Sequence, residues 1–152
     1  MKKIHLTGKY GNGKFAIVDD TDFDLVNKYK WYLQGKYPVR SLGKRPNRTK
    51  ISLSRFLMNT PADKVTDHKN GNGLDNRRSN LRICTISQNT INSKKPTNQS
   101  SKYKGVCWLN PWRATIGSKT IGHFKTEIEA AKAYNEAAKK LYGEFAKLNI
   151  FI

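Results

Sequence analysis

Apolar residues recur along this chain in short alternating runs, the two-residue period of half-buried strands, and helical spacing is clearest near the C-terminus. Ile4-His5-Leu6 and Phe15-Ala16-Ile17-Val18 flank the break at Gly11-Asn12-Gly13, and Asp19-Asp20 makes the next turn. This pattern predicts a small antiparallel sheet, with a short helix within Asp22–Trp31 that turns Phe23, Val26 and Trp31 toward it. Ile51-Ser52-Leu53 alternates again, and Arg55-Phe56-Leu57-Met58 begins an apolar stretch expected to pack under the loop that follows. Farther on, Lys104–Trp108, Trp112–Ile116 and Lys119–Phe124 alternate between the turn signals Asn110-Pro111 and Gly117-Ser118, predicting a three-stranded antiparallel sheet. Thr126-Glu127-Ile128-Glu129 is a capping box opening a helix rich in Ala, Lys and Glu. Gly143 stands at its stop, and a stripe of Ala130, Tyr134, Ala137 and Leu141 is expected on the sheet. The class is therefore α+β.

Composition changes the picture by naming a partner. Lys and Arg number 29 against 11 Asp and Glu, a formal charge of +18 on 152 residues, and such an excess marks a polyanion partner, nucleic acid before others. A membrane partner is not expected, because apolar runs such as Phe15–Val18 are far shorter than a span. Met1-Lys2-Lys3 is not followed by an apolar leader core, which places the expected location in the cytoplasm. The two cysteines, Cys84 and Cys107, form no paired knuckle, so neither a disulfide scaffold nor a zinc finger is expected, and no small-molecule cofactor is called for. Residues 93–101 lack apolar side chains except Pro96 and read as a basic linker that can track the DNA backbone. Arg40, Lys44, Arg45, Arg48 and Lys50 stand in a stretch without acids and are candidate phosphate contacts, as are Arg77, Arg78, Lys94 and Lys95. His5, Asp19, Asp20, Asp22 and Asp24 read as acidic turn residues rather than a second metal site.

The most informative segment lies between Asp67 and Asn92. It carries Asp67-His68-Lys69-Asn70-Gly71, then Leu74-Asp75-Asn76-Arg77-Arg78-Ser79-Asn80-Leu81-Arg82, then Gln88-Asn89. Hydrolysing a phosphodiester needs a base of near-neutral pKa and a hard cation against the phosphate oxygens. His68 suits the first, and the oxygens of Asp67 and Asn89 suit magnesium or manganese better than zinc. Neighbours on a strand point to opposite faces, so Asp67 and His68 can share a pocket only if the strand ends there, and Asn70-Gly71-Asn72-Gly73 supplies that break. Thr85-Ile86-Ser87-Gln88 is a further capping box, which places Asn89 in the first turns of a helix and Asn92 one turn on.

In this order the residues resemble the HNH endonuclease family, in the branch found among phage and intron homing endonucleases. The resemblance implies a ββα-metal core in which Asp67 and Asn89 ligate Mg2+ or Mn2+, His68 is the general base and Asn80 braces the loop. Relatives commonly carry His-Arg ahead of the Asp-His pair. This chain has Ser54-Arg55 there, so any charge on the phosphate at that place falls to Arg55. The organisation expected is residues 1–50 as a β-rich DNA-contacting segment, 51–93 as the nuclease core, 94–101 as linker and 102–152 as a second DNA-binding domain. A single active-site set predicts a monomer or weak dimer that nicks one strand per centre. The alternatives are a DNA-binding regulator that keeps the fold without turnover, and an RNA-associated structural protein.

Tyr103-Lys104-Gly105-Val106, Ile121-Gly122-x-Phe124, Glu129-Ala130-Ala131-x-Ala133-Tyr134 and Gly143-x-x-Ala146-Lys147-Leu148-Asn149 resemble the Apetala or ethylene-response-factor DNA-binding domain. That resemblance implies an open sheet face in the major groove. Strand parity turns Arg113, Thr115 and Thr120 to that face and Trp112, Ala114, Ile116 and Phe124 to the core. Lys102, Lys104, Trp108 and Lys119 complete the expected contacts. Cys107 and Gly117 stand where plant members carry arginine, which implies relaxed sequence discrimination.

Overall fold

The computed structural model describes residues 1–44, 46–92 and 100–151, and shows several small sheets with four α-helices among them. They fall into two compact units, Met1–Asn89 and Thr90–Ile152. Arg45, Lys94 and Lys95, and with the last two most of the expected linker, lie outside the described residues.

In the first unit, strands β1 (Lys2–Thr7), β2 (Phe15–Val18), β3 (Trp31–Gln34), β4 (Tyr37–Leu42) and β5 (Thr49–Ser52) form one sheet in the order β2-β1-β3-β4-β5. Its expected all-antiparallel arrangement is corrected by the β1–β3 pair, which runs parallel with Leu6 beside Trp31. The reason is the helix α1 (Asp20–Asn27) between β2 and β3, which carries the chain back so that β3 runs in the direction of β1. Trp31 is not on that helix. It opens β3, fully buried, and its indole N–H donates to the Val26 carbonyl at the helix end, 3.0 Å away.

Ile4, Leu6, Ala16, Val18, Val26 and Trp31 share their core with Leu53 and Leu57 of helix α2 (Leu53–Met58) and with Leu81. The expected boundary at residue 50 thus falls inside β5, and one hydrophobic core joins the residues on either side of it. Strands β6 (Val65–His68) and β7 (Leu81–Cys84) pair antiparallel, and α3 (Ile86–Ile91) follows. The loop between β6 and β7 is stitched to β2. Ile17 donates to the Leu74 carbonyl and accepts from the Asn76 amide, both at 2.8 Å.

In the second unit, β8 (Val106–Trp108), β9 (Trp112–Ile116) and β10 (Lys119–Phe124) form an antiparallel sheet in the order β10-β9-β8 under α4 (Glu127–Tyr142). The first strand begins two residues later than its alternation suggests, because Gly105 holds a positive φ of 74° and its Cα lies against the Tyr134 ring, where a Cβ would collide. The buried stripe of α4 is Ala130, Ala131, Tyr134 and Ala138, and Leu141 is 62% exposed. The expected stripe was rotated because it gave weight to the large Leu141, whereas the close approach selects alanines. Among the described residues no helix is long and apolar enough to cross a membrane.

Candidate active site

β6 ends at His68, and Gly71, with φ 74°, turns the chain away. Carboxamides then hold the loop. Asn80 Oδ1 accepts from the Asn70 amide at 3.1 Å, and its Nδ2 donates to Asn70 Oδ1 at 3.1 Å and to the Asp75 carbonyl at 2.8 Å. Asn70 Oδ1 also accepts from the Asn72 amide, and Asn72 Oδ1 from the Leu74 amide. Asp75 accepts a two-pronged bond from Arg77, both contacts 2.7 Å, and this partner holds its carboxyl below the ordinary value of 3.8.

Asn76 is fully buried within this loop. Its Nδ2 donates to the Gly73 carbonyl at 3.2 Å, which turns Oδ1 toward His68 Nε2, 3.3 Å away. Nε2 therefore carries the proton of that bond. Burial pushes the imidazole below its ordinary 6.5, against the opposing pull of Asn76, Asp67 and Asp75, so the ring is neutral at pH 7.

Asp67 and Arg82 face each other across the β6–β7 pair, and Oδ2 accepts from Nε at 2.9 Å and Nη2 at 2.8 Å. Both Asp67 and His68 are buried, 6% and 4% exposed. Arg82 covers the first and packing around the loop covers the second. Arg55 points its guanidinium at the Lys64 carbonyl, 2.9 Å, and at the Pro61 carbonyl. It lines a cleft of about 450 Å³ with Gln34, Tyr37, Val39, Ser52, Ser54, Val65, Thr66 and Asn89. That cleft brings Arg55, Ser54 and Asn89 together; Asp67 is not among its lining residues. The Thr85–Gln88 capping box holds the start of α3, with the Thr85 amide donating to Gln88 Oε1 at 2.9 Å and the Gln88 amide to Thr85 Oγ1 at 3.2 Å.

The basic residues divide into braces and free cations. Arg78 binds Asp22 through Nε and Nη2 at 2.8 and 2.9 Å while its amide donates to Asp19, so these two acids at the start of α1 serve the loop. Arg40 stacks on Tyr29, 3.7 Å from the ring centroid, and its Nε is buried with no hydrogen-bond partner among the described residues. Lys44 and Arg48 are exposed, and Lys50 reaches Gln34 Oε1 at 3.2 Å. In the second unit Lys102, Trp108, Lys119 and Thr120 are exposed and Arg113 and Thr115 half-buried. Lys104 Nζ donates to the Ile91 carbonyl at 2.7 Å, and desolvation lowers its pKa. Reading the sequence missed Arg82 and Asn76. The signal for Arg82 was the strand register, which pairs it with Asp67 only once the β6–β7 loop length is known.

A family model described as HNH endonuclease matches residues 59–91, which span β6, the loop, β7 and α3. A protein of Acanthamoeba polyphaga mimivirus named "Uncharacterized HNH endonuclease L560" is 37% identical over 153 aligned residues, covering 91% of this chain and 76% of that one. "Protein 3.8" of Escherichia phage T7 is 29% identical over 93 residues, 57% of this chain and 77% of the phage protein. "Dehydration-responsive element-binding protein 2D" of Arabidopsis thaliana is 45% identical over 64 residues, 36% of this chain and 31% of that protein. No solved structure matches. With the Asp67–Asn89 segment inside the matched region and the mimivirus likeness running through most of both chains, this chain belongs to the HNH endonuclease family.

Proposed function

We propose that this protein is a metal-dependent DNA endonuclease of homing type that nicks duplex DNA, one strand per centre, and is encoded by a phage or mobile element. The observation that carries the reading is the mounting of His68. Its Nε2 is committed to a fully buried carboxamide whose other end is fixed, which holds a neutral imidazole in one orientation. That is the form a general base needs at pH 7. His68 takes a proton from the attacking water. Asn76 then steadies the imidazolium through Nε2–H, and Asn80 keeps the loop from moving under both.

By the family resemblance Asp67 and Asn89 are the residues that would hold the divalent ion, and Asp67 would have to share its carboxylate with Arg82 or release it. One carboxylate and one carboxamide form an all-oxygen set, and magnesium characteristically binds through one or two carboxylates, substrate phosphates and retained waters. Among the described residues no cluster of three His, Cys, Asp or Glu exists, so such an ion would draw its remaining ligands from solvent and DNA. When bound, it supplies charge stabilisation at the phosphate and the departing oxygen. The second unit, by its likeness to the plant factor, anchors the duplex through the sheet face carrying Arg113, Thr115 and Thr120, with exposed Trp108, Lys102 and Lys119 at the rim.

A second reading, a DNA-binding regulator without turnover, is favoured by Ser54 in the histidine place and by the burial of Asp67 and His68. Supercoiled plasmid incubated with magnesium, manganese or chelator, using wild type and His68→Ala, decides between them. Metal-dependent nicked circles that vanish in the variant are expected. Unchanged gel-shift affinity with no nicking selects the regulator, and linear product without a nicked precursor overturns the one-strand outcome.

A further inference from the structure

Tyr37 opens β4, outside the region the family model matches, yet its ring lies 5.7 Å from the His68 imidazole at an interplanar angle of 36°. The approach is made possible by one glycine of the loop. Gly73 has no positive φ requiring glycine, but a Cβ there would lie 2.3 Å from the Lys36 carbonyl and 2.8 Å from the Tyr37 ring. Asn76, which holds Nε2 of the same imidazole, is anchored to the Gly73 carbonyl. The turn between β3 and β4, Gly73, Asn76 and His68 therefore form one continuous set of contacts. Tyr37 also lines the cleft that holds Asn89 and is 39% exposed.

We propose that Tyr37 is a positioning residue for the nuclease reaction: its ring fixes the plane of the His68 imidazole while Asn76 fixes its direction, and Gly73 is glycine in order to admit it. The inference rests on the reading of His68 as base. A ring packed at 5.7 Å against the imidazole resists its rotation, a restraint of a different kind from the bond at Nε2. Misplacing a reacting group by about 1 Å costs on the order of 100-fold in rate. The sheet formed by the first fifty residues is, on this view, a wall of the catalytic site and not only a DNA contact.

The test is single-turnover plasmid nicking by the full chain as a function of protein concentration, for wild type, Tyr37→Phe, Tyr37→Leu, Tyr37→Ala and Gly73→Ala. Tyr37→Ala and Tyr37→Leu are expected to lower the maximal nicking rate by roughly 10- to 100-fold, with half-saturation within about twofold. Tyr37→Phe, which keeps the ring and loses only the hydroxyl, is expected to restore most of that rate. Gly73→Ala, which keeps Tyr37 but pushes it away, is expected to fall with the alanine variant. A merely structural tyrosine would lower stability without this split, so urea denaturation of each variant accompanies the kinetics. Wild-type maximal rates in both Tyr37→Ala and Gly73→Ala overturn the proposal if His68→Ala is inactive. Nicking by His68→Ala at the wild-type rate instead overturns the base assignment beneath it.

Discussion

Arg82 and Arg77 neutralise two buried carboxylates, and the partners differ in how easily water could replace them. The Arg82 side chain is 10% exposed and Asp67 7%, whereas Arg77 is 39% exposed over an Asp75 that is 4% exposed. Truncating Arg82 leaves a buried charge with its main partner gone, and breaking such a pair costs about 3–5 kcal/mol. Arg82→Leu is therefore expected to lower the urea midpoint strongly, while Arg77→Leu, which removes an exposed partner whose place water can take and leaves Asp75 its bond from Asn70, loses less. Asp75 adds a pH dependence of definite sign. Its folded pKa lies below 3.8, so the stabilisation is complete above that value and is lost as pH falls through the folded pKa. The stability difference between wild type and Asp75→Asn should be flat above about pH 5 and shrink at lower pH. A difference that grows on acidification would contradict the Arg77 assignment.

At the scale of elements, what could be read from local sequence was what local chemistry controls. The Thr126–Glu129 box forms as written, the Glu129 amide donating to Thr126 Oγ1 at 3.2 Å and the Thr126 amide to Glu129 Oε2 at 3.1 Å. Thr126→Ala should cost about 1 kcal/mol, seen as a lower midpoint in thermal unfolding followed by helical circular dichroism. Elements that depended on remote partners were legible only in outline. Trp31 was placed on a helix because its spacing from Val26 and Phe23 suits one face, and it belongs instead to a strand whose parallel neighbour is 25 residues earlier. Leu141 satisfied a helical stripe by hydrophobicity, yet the sheet accepts only alanines and one tyrosine over Gly105.

For the whole molecule, three buried acids of the first unit are paired with arginines, Asp22 with Arg78, Asp67 with Arg82 and Asp75 with Arg77, while Lys2, Lys3, Lys14, Lys44 and Arg48 stay exposed. Each pair cancels one cation with one anion, so the excess of +18 stays with the remaining cations. If about six to ten phosphates are neutralised, duplex affinity should fall by roughly 10³- to 10⁵-fold between 50 and 200 mM salt, measurable by fluorescence anisotropy, and a shallow slope would argue against a phosphate-tracking surface. Charge, capping boxes, turn glycines and the ordered Asp-His, Asn and Gln-Asn set are properties of the chain itself, because each acts within a few residues or as a sum over all of them. Which arginine meets Asp67, which carboxamide holds His68, and that a tyrosine from β4 reaches the imidazole past Gly73 were decided by tertiary structure alone. Those contacts join residues whose separation in sequence carries no local signal, and only strand pairing and a shared core bring them within bonding distance.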